Sequence, residues 1–131
     1  MNLIPKRRPT DGELAILEVL WERGPSTVRE VHGVLPGDTA YTTALKMLQI
    51  MASKGLVTRD DSARSHVFAA ALEQGTTRRA LASDLMDRAF GGSAAELAMH
   101  ALSAKPASNE ELAEIRRLLD TLEQDDGGSE R

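Results

Sequence analysis

Thr42, Thr43 and Lys46 place two hydroxyls and an ammonium on one side of a segment whose apolar residues recur at helical spacing. Threonine hydroxyls bond base edges or phosphate oxygens, their methyls can touch a thymine methyl, and a lysine reaches guanine acceptors or the backbone. The same residues also suit an ordinary solvated helix face, and composition alone weighs the two readings about evenly. A second set of donors favours nucleic acid: Arg59, Arg64 and Ser65 around a short polar turn, and Lys6, Arg7 and Arg8 in a basic N-terminal stretch. Tyr41 directly precedes the threonines, and its hydroxyl can meet a phosphate while its ring packs in part on the neighbouring helices. Ser26 and Thr27 open another segment where exposed amides suit a phosphate, although capping explains them equally well.

Residue types that catalyse are present but scattered. His32, His66 and His100 are far apart, with no cysteine and no His-Glu-x-x-His pattern to make them metal ligands. Asp60-Asp61 and Glu110-Glu111 are adjacent pairs whose side chains diverge, and no glycine cluster forms a phosphate loop. The expectation is a protein that is no enzyme, with no catalytic residue, metal or cofactor. The absence of cysteine excludes disulfides, and no apolar run exceeds a few residues, so a cytoplasmic chain without membrane insertion is expected. The net charge of −4 hides an asymmetry: residues 1–70 carry nine Lys/Arg against eight Asp/Glu, residues 71–131 seven against twelve. Only the first half is fit to approach phosphate, and its balance is nearly neutral.

The elements that must position these residues follow from capping and periodicity. Thr10 and Glu13 form a capping box ahead of Leu14, Leu17 and Trp21, with Ile16 and Leu20 beside them, and Gly24-Pro25 ends that first helix. Ser26 is the N-cap candidate of a short second helix bearing Val28, Val31 and Leu35 and closed by Pro36-Gly37. A third helix is predicted from Asp38 or Thr39 to Lys54, with Gly55 as its terminator. It buries Ala44, Leu48 and Met51, helped by Met47, opposite Thr42, Thr43, Lys46, Gln49 and Ser53. Leu56–Arg59 and Ser65–Ala69 then read as two strands around a charged tip. The fold class is mainly α: a winged helix-turn-helix of three helices plus a two-stranded β-hairpin wing, followed by a helical C-terminal dimerisation region.

After Leu72 the character changes. Thr76 or Thr77 is expected to open a helix carrying Leu81 and Leu85, closed by Phe90-Gly91-Gly92, and Ser93 a short one through Leu97 and Ala101. Ser108 and Glu111 cap a last helix in which Leu112, Ile115, Leu119 and Leu122 recur at 3-4-3 spacing. These leucines suit either a small internal bundle or a seam between protomers; about fifty residues with one aromatic bury little alone, which favours the seam. The expected divisions are a basic arm over 1–9, a DNA-binding domain over 10–72, a dimerisation domain over 73–123 and a disordered acidic tail over 124–131.

Taken together, Gly24-Pro25-Ser26-Thr27-Val28-Arg29-Glu30-Val31-His32, Ala40-Tyr41-Thr42-Thr43, Leu48-Gln49 and Lys54-Gly55-Leu56-Val57 resemble the penicillinase-repressor family (BlaI/MecI/CopY). The likeness continues through Arg64-Ser65-His66-Val67-Phe68 and Phe90-Gly91-Gly92, over roughly residues 9–123. It implies a homodimer that represses its own operon from a palindromic double-stranded DNA operator, with the Tyr41–Lys54 helix in the major groove and the wing beside it. It further implies relief by proteolysis triggered by a membrane-bound sensor peptidase, with antibiotic-resistance operons as the usual targets. The family's Asn-Phe cleavage bond falls at His100-Ala101 here, a departure in sequence. The copper-responsive branch needs a Cys-x-Cys motif that this chain lacks, and Ile50 stands where many relatives carry an arginine. The rival reading, from another class, is a winged-helix module that binds proteins and no specific DNA.

Overall fold

A computed structural model describes the backbone of residues 8–129 and the side chains of residues 8–125. The chain runs α1 (Asp11–Arg23), β1 (Ser26–Thr27), α2 (Val28–Val34), α3 (Tyr41–Lys54), β2 (Val57–Asp60), β3 (Val67–Ala70), α4 (Gln74–Ala89), α5 (Ala94–Ala104) and α6 (Asn109–Ser129). It is mainly helical, with the winged helix and helical C-terminus that the sequence predicts.

The capping box closes α1 as expected: the Glu13 amide donates to Thr10 Oγ1 at 3.2 Å and the Thr10 amide to Glu13 Oε1 at 3.0 Å. Gly24, at φ 89°, then turns the chain in a conformation that a side chain would oppose. Ser26 does not cap α2. It lies in a strand, paired with Phe68, and its buried hydroxyl donates to the Gly24 carbonyl at 2.9 Å. Thr27 caps α2 instead, in a second capping box with Glu30. The added strand makes the sheet three-stranded and antiparallel, in the order β1-β3-β2, where the sequence shows only a hairpin.

α3 begins at Tyr41, later than Asp38 or Thr39. Gly37 at φ 85° extends the preceding turn, and the Thr39 carbonyl accepts from His32 Nε2 at 2.8 Å instead of entering the helix. Gly55, in the left-handed region at φ 82°, ends α3 with its amide on the Ala52 and Met51 carbonyls. The helices meet over one core of Ile16, Leu17, Leu20, Val28, Val31, Ala44, Leu48 and Met51, roofed by Leu56, Val57 and Phe68. Each large side chain so buried contributes roughly 1.5–3 kcal/mol.

The described residues divide into two compact units, up to Leu85 and from Met86 onward. In the first, α4 starts at Gln74, so Thr76 and Thr77 lie inside it. The Thr77 amide reaches the Glu73 carbonyl at 3.1 Å, and the residue is buried. Trp21 Nε1 donates to the Leu72 carbonyl at 2.9 Å, and Glu18 meets Gln74 and Arg78, so the start of α4 is tied to α1. In the second unit Ser93 caps α5, and Ser108 and Glu111 close the predicted capping box of α6. α6 continues to Ser129, so residues 124–129 are helical where composition predicts a disordered tail. Extending an existing helix adds one hydrogen bond per residue fixed, far easier than nucleating one; residues 130–131 of that tail lie outside the described residues.

Candidate nucleic-acid interface

The helical period divides α3 into two sides. Ala44, Leu48 and Met51 are each fully buried, which turns the other side outward. Thr42, Thr43, Lys46, Gln49 and Ser53 are all exposed there, and Lys46 has no ion-pair partner among the described residues. Ile50 interrupts this polar face with an apolar side chain that is 43% exposed. Tyr41 opens the helix, equally exposed, with its ring edge-on to His32 at 5.8 Å between centroids. The His32 bond to Thr39 fixes the imidazole, and the imidazole in turn orients the tyrosine.

The wing is less basic in effect than in sequence. Arg59 Nε lies 2.9 Å from Asp61 Oδ1, and His66 Nδ1 meets the same oxygen, so one carboxylate holds both side chains across the tip. Asp60 accepts from the Ser62 amide at 2.9 Å, and that backbone bond, with a second from the Ser62 side chain, outweighs desolvation and holds its carboxyl below the ordinary value. Arg64 and Ser65 are exposed, with no side-chain partner among the described residues. Of the basic arm, Lys6 and Arg7 lie outside the described residues, and Arg8 pairs with Asp84 at 3.0 Å.

The fold brings two further residues to this side. Arg29 of α2 and His66 of the wing line one cleft of about 400 Å³ with Tyr41, Leu45 and Ser65. Only the crossing of the wing over the α2–α3 corner joins them, and no spacing in the sequence signals that.

The C-terminal apolar residues fall into two groups. Leu97, Leu112 and Ile115 are half-buried, whereas Leu119 and Leu122 stand more than half exposed, as do Met99 and Leu118, which periodicity did not single out. Within the second unit a groove of about 510 Å³ between α5 and α6 is lined by Leu102, Pro106, Ile115 and Leu118. In the first unit Leu81 is half-buried and Leu85 is 47% exposed. His100 and Ala101 are exposed within α5, the His100 ring 5.5 Å from that of Phe90.

No group of three or more His, Cys, Asp or Glu side chains among the described residues is placed to hold a metal. No described helix is long and apolar enough to cross a membrane. The family model described as Penicillinase repressor matches residues 9–121. The protein named Transcriptional regulator BlaI in two strains of Mycobacterium tuberculosis is 44% identical to this chain over 62 residues, 45% of this chain and 45% of the relative. The match thus spans about half the length of those curated relatives.

Proposed function

The chain belongs to the penicillinase repressor family, and from that premise we propose that it is a cytoplasmic homodimer that represses transcription from a palindromic operator. The observation that carries this reading is the uncovered side of α3: Thr42, Thr43 and Lys46 stand exposed while the opposite stripe is completely buried. A helix presented this way fits the major groove, where every base pair offers a distinct pattern of donors and acceptors. Thr42, Thr43 and Lys46 read bases, with Ile50 available to a thymine methyl. Tyr41, Arg64 and Ser65 hold the backbone, and Arg59 joins them once it leaves Asp61.

One subunit is a weak ligand for DNA, because its first half is almost neutral. Two subunits joined through Leu118, Leu119 and Leu122 of α6 convert the second contact into an intramolecular one. Leu81, Leu85, Leu97, Leu112 and Ile115 support that dimer, mostly from within their own units. Relief by a sensor-linked peptidase fits the exposed α5 around His100-Ala101. Cleavage there requires local opening, since the Ala101 carbonyl accepts from the Lys105 amide. Antibiotic-resistance genes are the targets this reading predicts.

A gel shift with the DNA upstream of the chain's own reading frame tests the proposal. A specific, salt-sensitive band supports it. The near-neutral first half and the Asp61 carboxylate over Arg59 favour instead a protein-binding module, which gives no specific band.

A further inference from the structure

Arg29 and His66 converge, from α2 and from the wing, on the cleft that Tyr41 and Ser65 also line. Neither belongs to the base-reading face. Arg29 has no ion-pair partner among the described residues, because its neighbour Glu30 is held by the Thr27 amide and lies 3.8 Å from Arg23. The cleft therefore gathers one guanidinium, one imidazole and the hydroxyls of Thr27, Tyr41 and Ser65, and no carboxylate lines it. That is the donor set of a phosphate seat. We propose that this cleft holds a backbone phosphate of the bound duplex, and that His66 engages it only as the imidazolium, so that DNA binding takes up one proton per subunit. The inference rests on the repressor reading and adds a contact and a pH dependence to it.

The hydrogen-bond pattern dictates the proton. A carboxylate only accepts, so Nδ1 of His66 donates to Asp61 and Nε2 is the ring nitrogen that remains. In the neutral ring Nε2 is an acceptor and repels a phosphate oxygen. Protonation turns it into a donor, with Asp61 balancing the charge on one side and the phosphate on the other. The titratable groups around the imidazole are Asp61 within the wing, Arg59 through their shared Asp61, and Arg29 and Tyr41, which line the same cleft. A phosphate seated between Arg29 and Nε2 of His66 favours the imidazolium over the neutral ring, which links DNA binding to the protonation of His66.

The test is fluorescence anisotropy of the full chain on a labelled duplex of about 30 base pairs from upstream of its reading frame. Readings at constant ionic strength span about pH 5.5–8.5. Wild-type affinity is expected to fall by about tenfold or more between pH 6 and 8. His66→Gln should flatten that dependence to within about twofold, while His100→Gln, at an exposed histidine of α5, keeps it. Arg29→Ala should weaken binding throughout and lower the salt slope by about one per subunit. Binding that is present but flat in pH for the wild type overturns the inference and leaves the repressor reading standing. Dependence that survives in His66→Gln also overturns it. Absence of binding at every pH overturns both. Calorimetry with inorganic phosphate alone should show no tight binding; a tight complex would make the cleft a small-anion site and contradict the assignment to duplex DNA.

Discussion

Lys54 Nζ lies 2.9 Å from each carboxylate oxygen of Glu13, which ties the last turn of α3 to the first turn of α1. Glu13 is 5% exposed and also closes the α1 capping box, so one side chain sets both the start of α1 and the seat of α3. Burial pushes the Glu13 carboxyl up. The hydrogen bonds from Lys54 and Thr10, together with the Lys54 charge, outweigh that and hold it below the ordinary carboxylate value.

A group whose folded value is depressed adds stability above its unfolded value and loses it as pH falls through the folded one. Glu13→Gln should therefore destabilise the first unit by about 1–3 kcal/mol at pH 7 and progressively less on acidification below about pH 4. Urea melts at neutral and acid pH measure the difference. A gap that widens on acidification would contradict the ion pair.

Phe68 is 1% exposed on the central strand, paired with Ser26 on one side and Arg59 on the other. Phe68→Ala should cost about 3–5 kcal/mol, comparable with the whole stability of a small domain. Denaturant melts of Phe68→Ala against Phe68→Leu should show the leucine variant recovering most of the loss. Equal losses would mean that the wing does not roof the core.

The legibility of this chain follows from the range of each signal. Capping boxes at Thr10 and Ser108 are local, repeating chemistry and were readable directly, as was the stripe of Ala44, Leu48 and Met51. β1 was hidden because two residues carry no period, and Ser26 looks like a cap until Phe68 is placed beside it. Arg29 and His66 meet only through tertiary folding, and no spacing in the sequence shows that Asp61 holds Arg59. The leucine pattern of α6 named the apolar face but could not tell Leu112 and Ile115, half-covered within the chain, from Leu119 and Leu122, which are not.

That division makes the seam testable. Leu119→Glu with Leu122→Glu should leave helix content intact and give a monomer in sedimentation at micromolar concentration, with DNA binding weakened about 10²-fold or more through lost bivalency. Leu112→Glu should lower the helicity of the second unit itself. A double variant that remains dimeric would move the seam elsewhere.

Asp61 restrains the wing through its bond to Arg59. At about pH 8, above the ordinary imidazole range, Asp61→Asn should tighten binding to any duplex by roughly 2–10-fold and steepen its salt dependence, since each phosphate newly neutralised releases counterions. Titrations at several salt concentrations measure both effects. Weaker binding would mean that the Arg59–Asp61 pair shapes the wing for DNA.

The most direct measurement is the base-preference profile of the full chain, taken by binding selection from a randomised duplex pool, for the wild type and for Lys46→Ala. A face of α3 that reads bases predicts a palindromic preference in the wild type. The variant should then lose discrimination at one position of each half-site by about 1–3 kcal/mol, with the other positions retained. An identical profile for the two proteins, or no preference in either, would contradict the reading of Thr42, Thr43 and Lys46 as the surface that recognises DNA.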